Sequence, residues 1–108
     1  MVEYIEIRTT VPEMELAEGI SKKAVERKLS ACSQVMPVHS YYHWRGKMEE
    51  EDEILISMKT TSLRYRELIS MIEEMHPYDV PEIWMIRGLE GSKDYLSWIS
   101  ESTDSNRS

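Results

Sequence analysis

Hydrophobic and polar positions alternate in blocks along the chain, and each block has its own period. Val2, Tyr4, Ile5 and Ile7 make the stretch from Val2 to Arg8 β-rich, and it is read as the first strand. Thr10-Val11-Pro12-Glu13 then has the spacing of a capping box, with Pro12 in the first turn of the helix that follows. That helix buries Leu16, Ala17, Ile20, Ala24 and Leu29, which recur at helical spacing, and turns Glu15, Glu18, Lys22, Lys23 and Glu26 to water. Ala31 to Trp44 is β-rich again. It contains Pro37, which cannot donate to a ladder and so marks an edge, a bulge or a bend.

Arg45-Gly46-Lys47 predicts a tight reversal. Met48 to Thr60 returns, with Ile54, Ile56 and Met58 on one face and Leu55, Ser57 and Lys59 on the other. A strand of this length spans roughly 40 Å at the usual rise, more than a small sheet needs. Part of the hairpin is therefore expected to project and to pair with something else. Ser62 to His76 carries Leu68, Met71, Ile72 and Met75 at i, i+3, i+4 and i+7, a second amphipathic helix that Pro77 ends. Glu82 to Arg87 reads as a fourth strand and Ser92 to Ser100 as a short last helix. Residues 1–103 form one domain on this reading, and 104–108 a polar C-terminal tail, with fraying expected from Thr103 onwards.

The β-α-β-β-α-β order predicts an α+β fold, the ferredoxin-like sandwich of one antiparallel four-stranded sheet with two helices on one face. Its strands also carry apolar groups toward the other face, as in the pairs Ile54 and Leu55 or Trp84 and Met85. A homo-oligomer that closes the second face is the natural solution.

Composition narrows the partners. The 108 residues hold 13 Lys and Arg against 20 Asp and Glu, a net charge of −7 that argues against nucleic acid and anionic membrane surfaces. The longest apolar run is Ile83-Trp84-Met85-Ile86, so no segment is long enough for a membrane helix. No secretory leader is visible, and the expected compartment is the cytoplasm. One cysteine, Cys32, excludes a disulfide within the chain.

Dinucleotide, P-loop, zinc-protease and CxxC motifs are absent, and no nucleophile–base pair is legible, so the chain is read as non-enzymatic. Cys32 is a soft ligand for Cu or Zn if a second donor approaches, and otherwise a small core residue. His39 and His43 share a strand face but lie roughly 13 Å apart, too far to chelate one ion. His76 stands at a helix end, where a capping role and a ligand role are both open. The run Glu49-Glu50-Glu51-Asp52-Glu53 can attract divalent cations, but alternation splits it between faces, and a solvated strand start that protects an edge fits it as well. With no Phe in the chain, the eight methionines read as core filling. Tyr41, Tyr42 and Trp44 can stack on a ligand or anchor an interface.

Ser40-Tyr41-Tyr42-His43-Trp44-Arg45-Gly46-Lys47, Lys59-Thr60-Thr61 and His76-Pro77-Tyr78-Asp79-Val80-Pro81-Glu82 resemble the CutA family of divalent-cation tolerance proteins. Leu29-Ser30-Ala31-Cys32 and Asp94-Tyr95-Leu96-Ser97-Trp98 fit the same pattern, and the resemblance runs in order over about residues 4 to 103. It implies a ferredoxin-like subunit and a homotrimer in which long hairpins wrap neighbouring subunits, an architecture similar to the PII signalling proteins. It also implies a link to copper and other divalent metals, with no organic cofactor. Residue by residue, it points to Cys32 and His76 as metal ligands. It further points to Tyr42, Trp44, Glu51, Lys59, Tyr78 and Glu82 as the lining of a cleft between subunits. Thr9 and Met75 stand where some bacterial members have a further cysteine and histidine, so the soft-ligand set is smaller here. The alternative is a PII-like module that senses a small anion near Lys59, or a plain scaffolding trimer.

Overall fold

The computed structural model describes residues 2–106. Its elements are β1 (Tyr4–Val11), α1 (Met14–Glu26), β2 (Cys32–Trp44), β3 (Lys47–Thr61), α2 (Tyr65–Met75), β4 (Ile83–Ile86) and α3 (Lys93–Ser102). All ladders are antiparallel and the sheet runs β2-β3-β1-β4, so the predicted α+β sandwich is the observed one. Met1 and residues 107–108 of the expected tail lie outside the described residues.

Register separates the two faces of the sheet. Ile5, Ile7 and Val11 of β1 stand opposite Thr60, Met58 and Ile54 of β3. With Ile56, they bury against Ala17, Ile20 and Ala24 of α1 and Leu68, Met71 and Ile72 of α2. Each fully buried aliphatic side chain here contributes about 1.5–3 kcal/mol. The other face carries Tyr4, Glu6, Arg8 and Thr10 of β1. The short helix α3 covers one end of it, where Ile99 is buried and the Tyr4 hydroxyl meets Ser100 Oγ at 2.9 Å.

Several boundaries differ from expectation, each for a physical reason. β1 runs on to Val11 because Thr9, Thr10 and Val11 pair with Ile56, Leu55 and Ile54. The Thr10–Glu13 capping box therefore does not form. Glu13 is itself the N-cap, without a side-chain bond, and Pro12 precedes the helix. Leu29 reaches the core from beyond α1. Lys28 takes a left-handed φ of 59°, and the Leu29 N–H donates back to Ala24 O at 2.9 Å, which drops an apolar residue onto the core. α2 begins at Tyr65 and not Ser62, since 62–64 form a turn in which Ser62 Oγ accepts the Glu3 N–H at 2.9 Å. Thr103 does not fray: it is buried, and its hydroxyl donates to Ile99 O at 2.9 Å.

β1 reaches along β3 only to Ile54. Among the described residues, 47–53 of β3 thus have β2 as their sole strand neighbour, paired from Val38–Glu53 to Trp44–Lys47. This arm extends the molecule to 46 Å against 25 and 21 Å in the other directions. Its turn is two residues, Arg45 at φ 51° and Gly46 at φ 81°, the pairing of positive angles that matches a hairpin's twist.

Candidate functional site

Where the arm leaves the sheet, its helix-free face and the loop after α2 enclose a groove of ≈ 910 Å³. Strand alternation supplies one wall, because Glu49, Glu51 and Glu53 share that face of β3 with Ser40 and Tyr42 opposite on β2. The loop supplies the other, and His76 fixes the loop. Its Nε2 donates to Thr10 O at 2.8 Å, and its Nδ1 accepts the Tyr78 N–H at 3.3 Å. A ring nitrogen facing a carbonyl must carry the proton, and one facing an N–H must not, so this is the neutral Nε2–H tautomer. The Tyr78 hydroxyl then reaches Glu53 and donates to Oε2 at 3.0 Å. At the groove's β4 end the Trp84 indole N–H donates to Glu82 Oε2 at 2.9 Å, and the Thr10 hydroxyl lies 3.5 Å from Glu82 Oε1.

The potential in this groove is negative. Burial, then the hydrogen bond to Glu53, then the charges of Glu53 and Glu51 all push the Tyr78 phenol up. Tyr42 is raised in the same way, by burial and then by Glu51, Glu53 and Glu49.

Five of the six expected cleft residues, Tyr42, Trp44, Glu51, Tyr78 and Glu82, line this groove. Lys59 does not. It sits with Arg8 in a second recess of ≈ 530 Å³ farther along the helix-free face. There its ammonium donates to Gln34 Oε1 at 3.0 Å and Ser57 Oγ at 2.8 Å. Ser57 in turn donates to the buried Glu6 carboxylate, which also accepts Arg8 Nε at 2.8 Å. Burial pushes Glu6 up, but the bonds from Arg8 and Ser57 and the charges of Arg8 and Lys59 outweigh it and hold the carboxyl low.

Cys32 and His76 do not meet within one chain. Cys32 is half-buried and pairs with Lys59, whereas His76 is fastened to Thr10, which pairs with Leu55. Four residues of strand separate those levels, about 13 Å. Among the described residues no group of three or more His, Cys, Asp or Glu side chains is gathered closely enough to hold a metal ion.

One reading changes and one gains detail. Glu53 is not part of a solvated strand start, since it is only 6% exposed beneath Tyr78. The alternation of 49, 51 and 53 was visible in sequence; the loop that covers its inner end was not. His39 is an exposed strand residue, as expected, and it also bridges two carboxylates on the arm's other face. Nδ1 lies 2.8 Å from Asp52 Oδ1, and Nε2 lies 2.7 Å from Glu50 Oε2. Those two bonds, Glu50's first, raise its pKa against a small opposing effect of burial.

Comparison with known proteins gives one consistent result. The model of the family described as CutA1 divalent ion tolerance protein matches residues 5–102. The divalent-cation tolerance protein CutA of Thermus thermophilus is 40% identical over 95 residues, which cover 87% of this chain and 92% of that protein. Among solved structures, the protein described as the periplasmic divalent cation tolerance protein CutA of Archaeoglobus fulgidus superimposes with a TM-score of 0.89 at 36% identity. That match covers 94% of this chain and 99% of the other. CutA from Synechococcus elongatus gives a TM-score of 0.90 at 29% identity, with 96% of each chain covered.

Proposed function

The chain belongs to the CutA1 divalent ion tolerance family, and from that membership we propose that it acts in divalent-cation tolerance as a non-catalytic, PII-like homotrimer. The observation that carries the assembly is the arm. Tyr41 and Met48 on it are 66% and 68% exposed, and Met36 at its base is 56% exposed. A single copy leaves these side chains in water along an edge strand, where a neighbouring copy removes them from it.

Cys32 and His76 are the proposed ligands, contributed to a shared site by different copies, and thiolate with imidazole suits copper or zinc. His76 Nδ1 joins such a site by exchanging the Tyr78 N–H for the metal. A net charge of −7 favours cationic partners over nucleic acid. Among the described residues no helix is long and apolar enough to cross a membrane. The cytoplasm is the proposed compartment, since a lone free cysteine suits a reducing one; the Archaeoglobus protein is described as periplasmic, and fractionation decides between them here.

Sedimentation equilibrium is expected to give a trimer, and a stable folded single copy at micromolar concentration overturns it. Calorimetry with Cu and Zn is expected to show weaker binding in Cys32→Ala and His76→Ala. Equal affinity in all three proteins removes both residues from the site. A second reading, a small anion beside Lys59, draws on the two cations of the second recess. Both are already bonded to neighbours within the chain, so this reading ranks below metal. Thermal stabilisation by organic acids or nucleotides would raise it.

A further inference from the structure

His39 is bonded on both sides of its ring. Nδ1 lies 2.8 Å from Asp52 Oδ1, and Nε2 lies 2.7 Å from Glu50 Oε2. An ionised carboxylate only accepts, and a neutral imidazole has one N–H to give. The two bonds therefore exist together only on the protonated ring. Once the proton leaves, a ring lone pair faces a carboxylate oxygen at hydrogen-bond distance. Two carboxylates whose stems stand about 7 Å apart on one strand face then lose the charge between them. His76 is the opposite case, since its partners, a carbonyl and an N–H, require the neutral ring.

The position of the bridge gives its proton a consequence. Register puts Pro37, His39, Tyr41 and His43 of β2 on one face with Ile54, Asp52, Glu50 and Met48 of β3. The bridge thus lies between the end of the helix-backed base at Ile54 and the exposed side chains of Tyr41 and Met48. Tyr41 meets the His39 ring edge-on, with centroids 4.9 Å apart, and its hydroxyl bonds Glu50. The charges acting on the ring are those of Asp52 and Glu50. His43, two places farther out, makes no ion pair among the described residues. In a single copy the bridge stands in water: the side chains of His39, Glu50 and Asp52 are 42%, 52% and 94% exposed, and such a pair contributes little. A neighbouring copy that covers Tyr41 and Met48 also takes water from the bridge. Covering three groups of net charge −1 costs less than covering two carboxylates of net charge −2. Cover and proton therefore favour each other, and the coupling is reciprocal.

We propose that His39 makes the assembly of this chain proton-linked: the protonated ring holds Glu50 and Asp52 in a row that docks on a neighbouring copy, and release of its proton to solvent loosens the arms. The proposal rests on the trimer reading above and adds a means of regulating it. It is independent of Cys32 and His76 as metal ligands.

Sedimentation equilibrium of the full chain at about pH 6 and about pH 8.5, on either side of the ordinary histidine value, tests it. The wild-type trimer is expected to come apart at the higher pH with a dissociation constant about threefold or more weaker for each arm, the scale of one surface ion pair. His39→Gln keeps a polar side chain that does not titrate and is expected to show the weaker assembly at both pH values. His43→Gln, on the same face, is expected to keep the wild-type response. For a trimer too tight to dilute apart, the same comparison is read from the concentration-dependent midpoint of thermal unfolding, which is expected to fall at the higher pH in wild type and His43→Gln more than in His39→Gln. An equal pH response in wild type and His39→Gln overturns the proposal, as does a tighter wild-type trimer at about pH 8.5. A single copy at both pH values overturns the trimer reading itself, so the two failures are told apart.

Discussion

The two halves of the β2–β3 ladder share one register and almost nothing else. From Cys32 to Pro37, opposite Ile54 to Lys59, the ladder is backed by two helices, and Ile56 and Met58 are wholly buried. From Val38 to Trp44, opposite Lys47 to Glu53, it has no third strand and no apolar core among the described residues. Its inventory there is polar: the His39 bridge to Asp52 and Glu50, Arg45 over Trp44, and Tyr78 on Glu53. Backbone pairing alone does not hold an isolated two-stranded ribbon firmly in water. One half is therefore stabilised by its own chain, and the other is left to side-chain pairs and to whatever docks on it.

The sharpest contrast is expected between Ile56→Ala and Met48→Ala. The first leaves a cavity in the core and is expected to cost about 2–5 kcal/mol at any protein concentration. The second touches an exposed side chain on the arm. Its effect is expected only as a lower, concentration-dependent midpoint in thermal unfolding, as assembly weakens. A large, concentration-independent loss in Met48→Ala would mean that the arm folds as firmly as the base.

Tyr78→Phe comes next. It removes the hydroxyl that Tyr78 gives Glu53, and urea unfolding is expected to show a loss of about 1 kcal/mol, the scale of one hydrogen bond. Of similar size is Gly46→Ala. Nothing lies within 4 Å of the added Cβ, so the whole effect comes from φ 81° and is expected to be about 1 kcal/mol in the same assay.

The smallest effects are in pH, and they run in opposite directions in the two halves. Glu6, at the base, has a folded pKa below its ordinary value. Its contribution is complete above the ordinary carboxylate value and is lost as pH falls through the lowered one. His39, on the arm, has a folded pKa above its ordinary value. Its contribution is complete below the ordinary histidine value and is lost as pH rises through the raised one. Glu50, lowered by its bonds to His39 and Tyr41, sets the acid limit of the same bridge. NMR titration is expected to place the His39 midpoint above the ordinary value of about 6.5 and to bring it down in Asp52→Asn. No change in that variant would show that the bridge does not form in solution.

Much of the fold was legible because periodicity is a local property. Leu68, Met71, Ile72 and Met75 announce α2, and Ile54, Ile56 and Met58 announce the core face of β3. The projecting arm was legible from strand length alone. The boundaries that moved did so under long-range pairing: Thr10 has the chemistry of a cap, but a ladder partner in Leu55 outweighs it. The candidate site was half legible. Tyr42, Trp44, Glu51, Tyr78 and Glu82 line one groove within the chain. Lys59 and Cys32 do not join them, because their place in the register puts them at the other end of the helix-free face.

By itself, then, the order of apolar and polar residues determined which elements form and which side of each turns to the core, since burial acts on patterns a few residues long. Tertiary structure alone decided that His76 spends both ring nitrogens on its own backbone. It also decided that Glu53 lies buried under Tyr78 and accepts its hydroxyl. Those outcomes depend on a loop and a strand 25 residues apart meeting at hydrogen-bond distance, and no local pattern encodes a meeting of that kind.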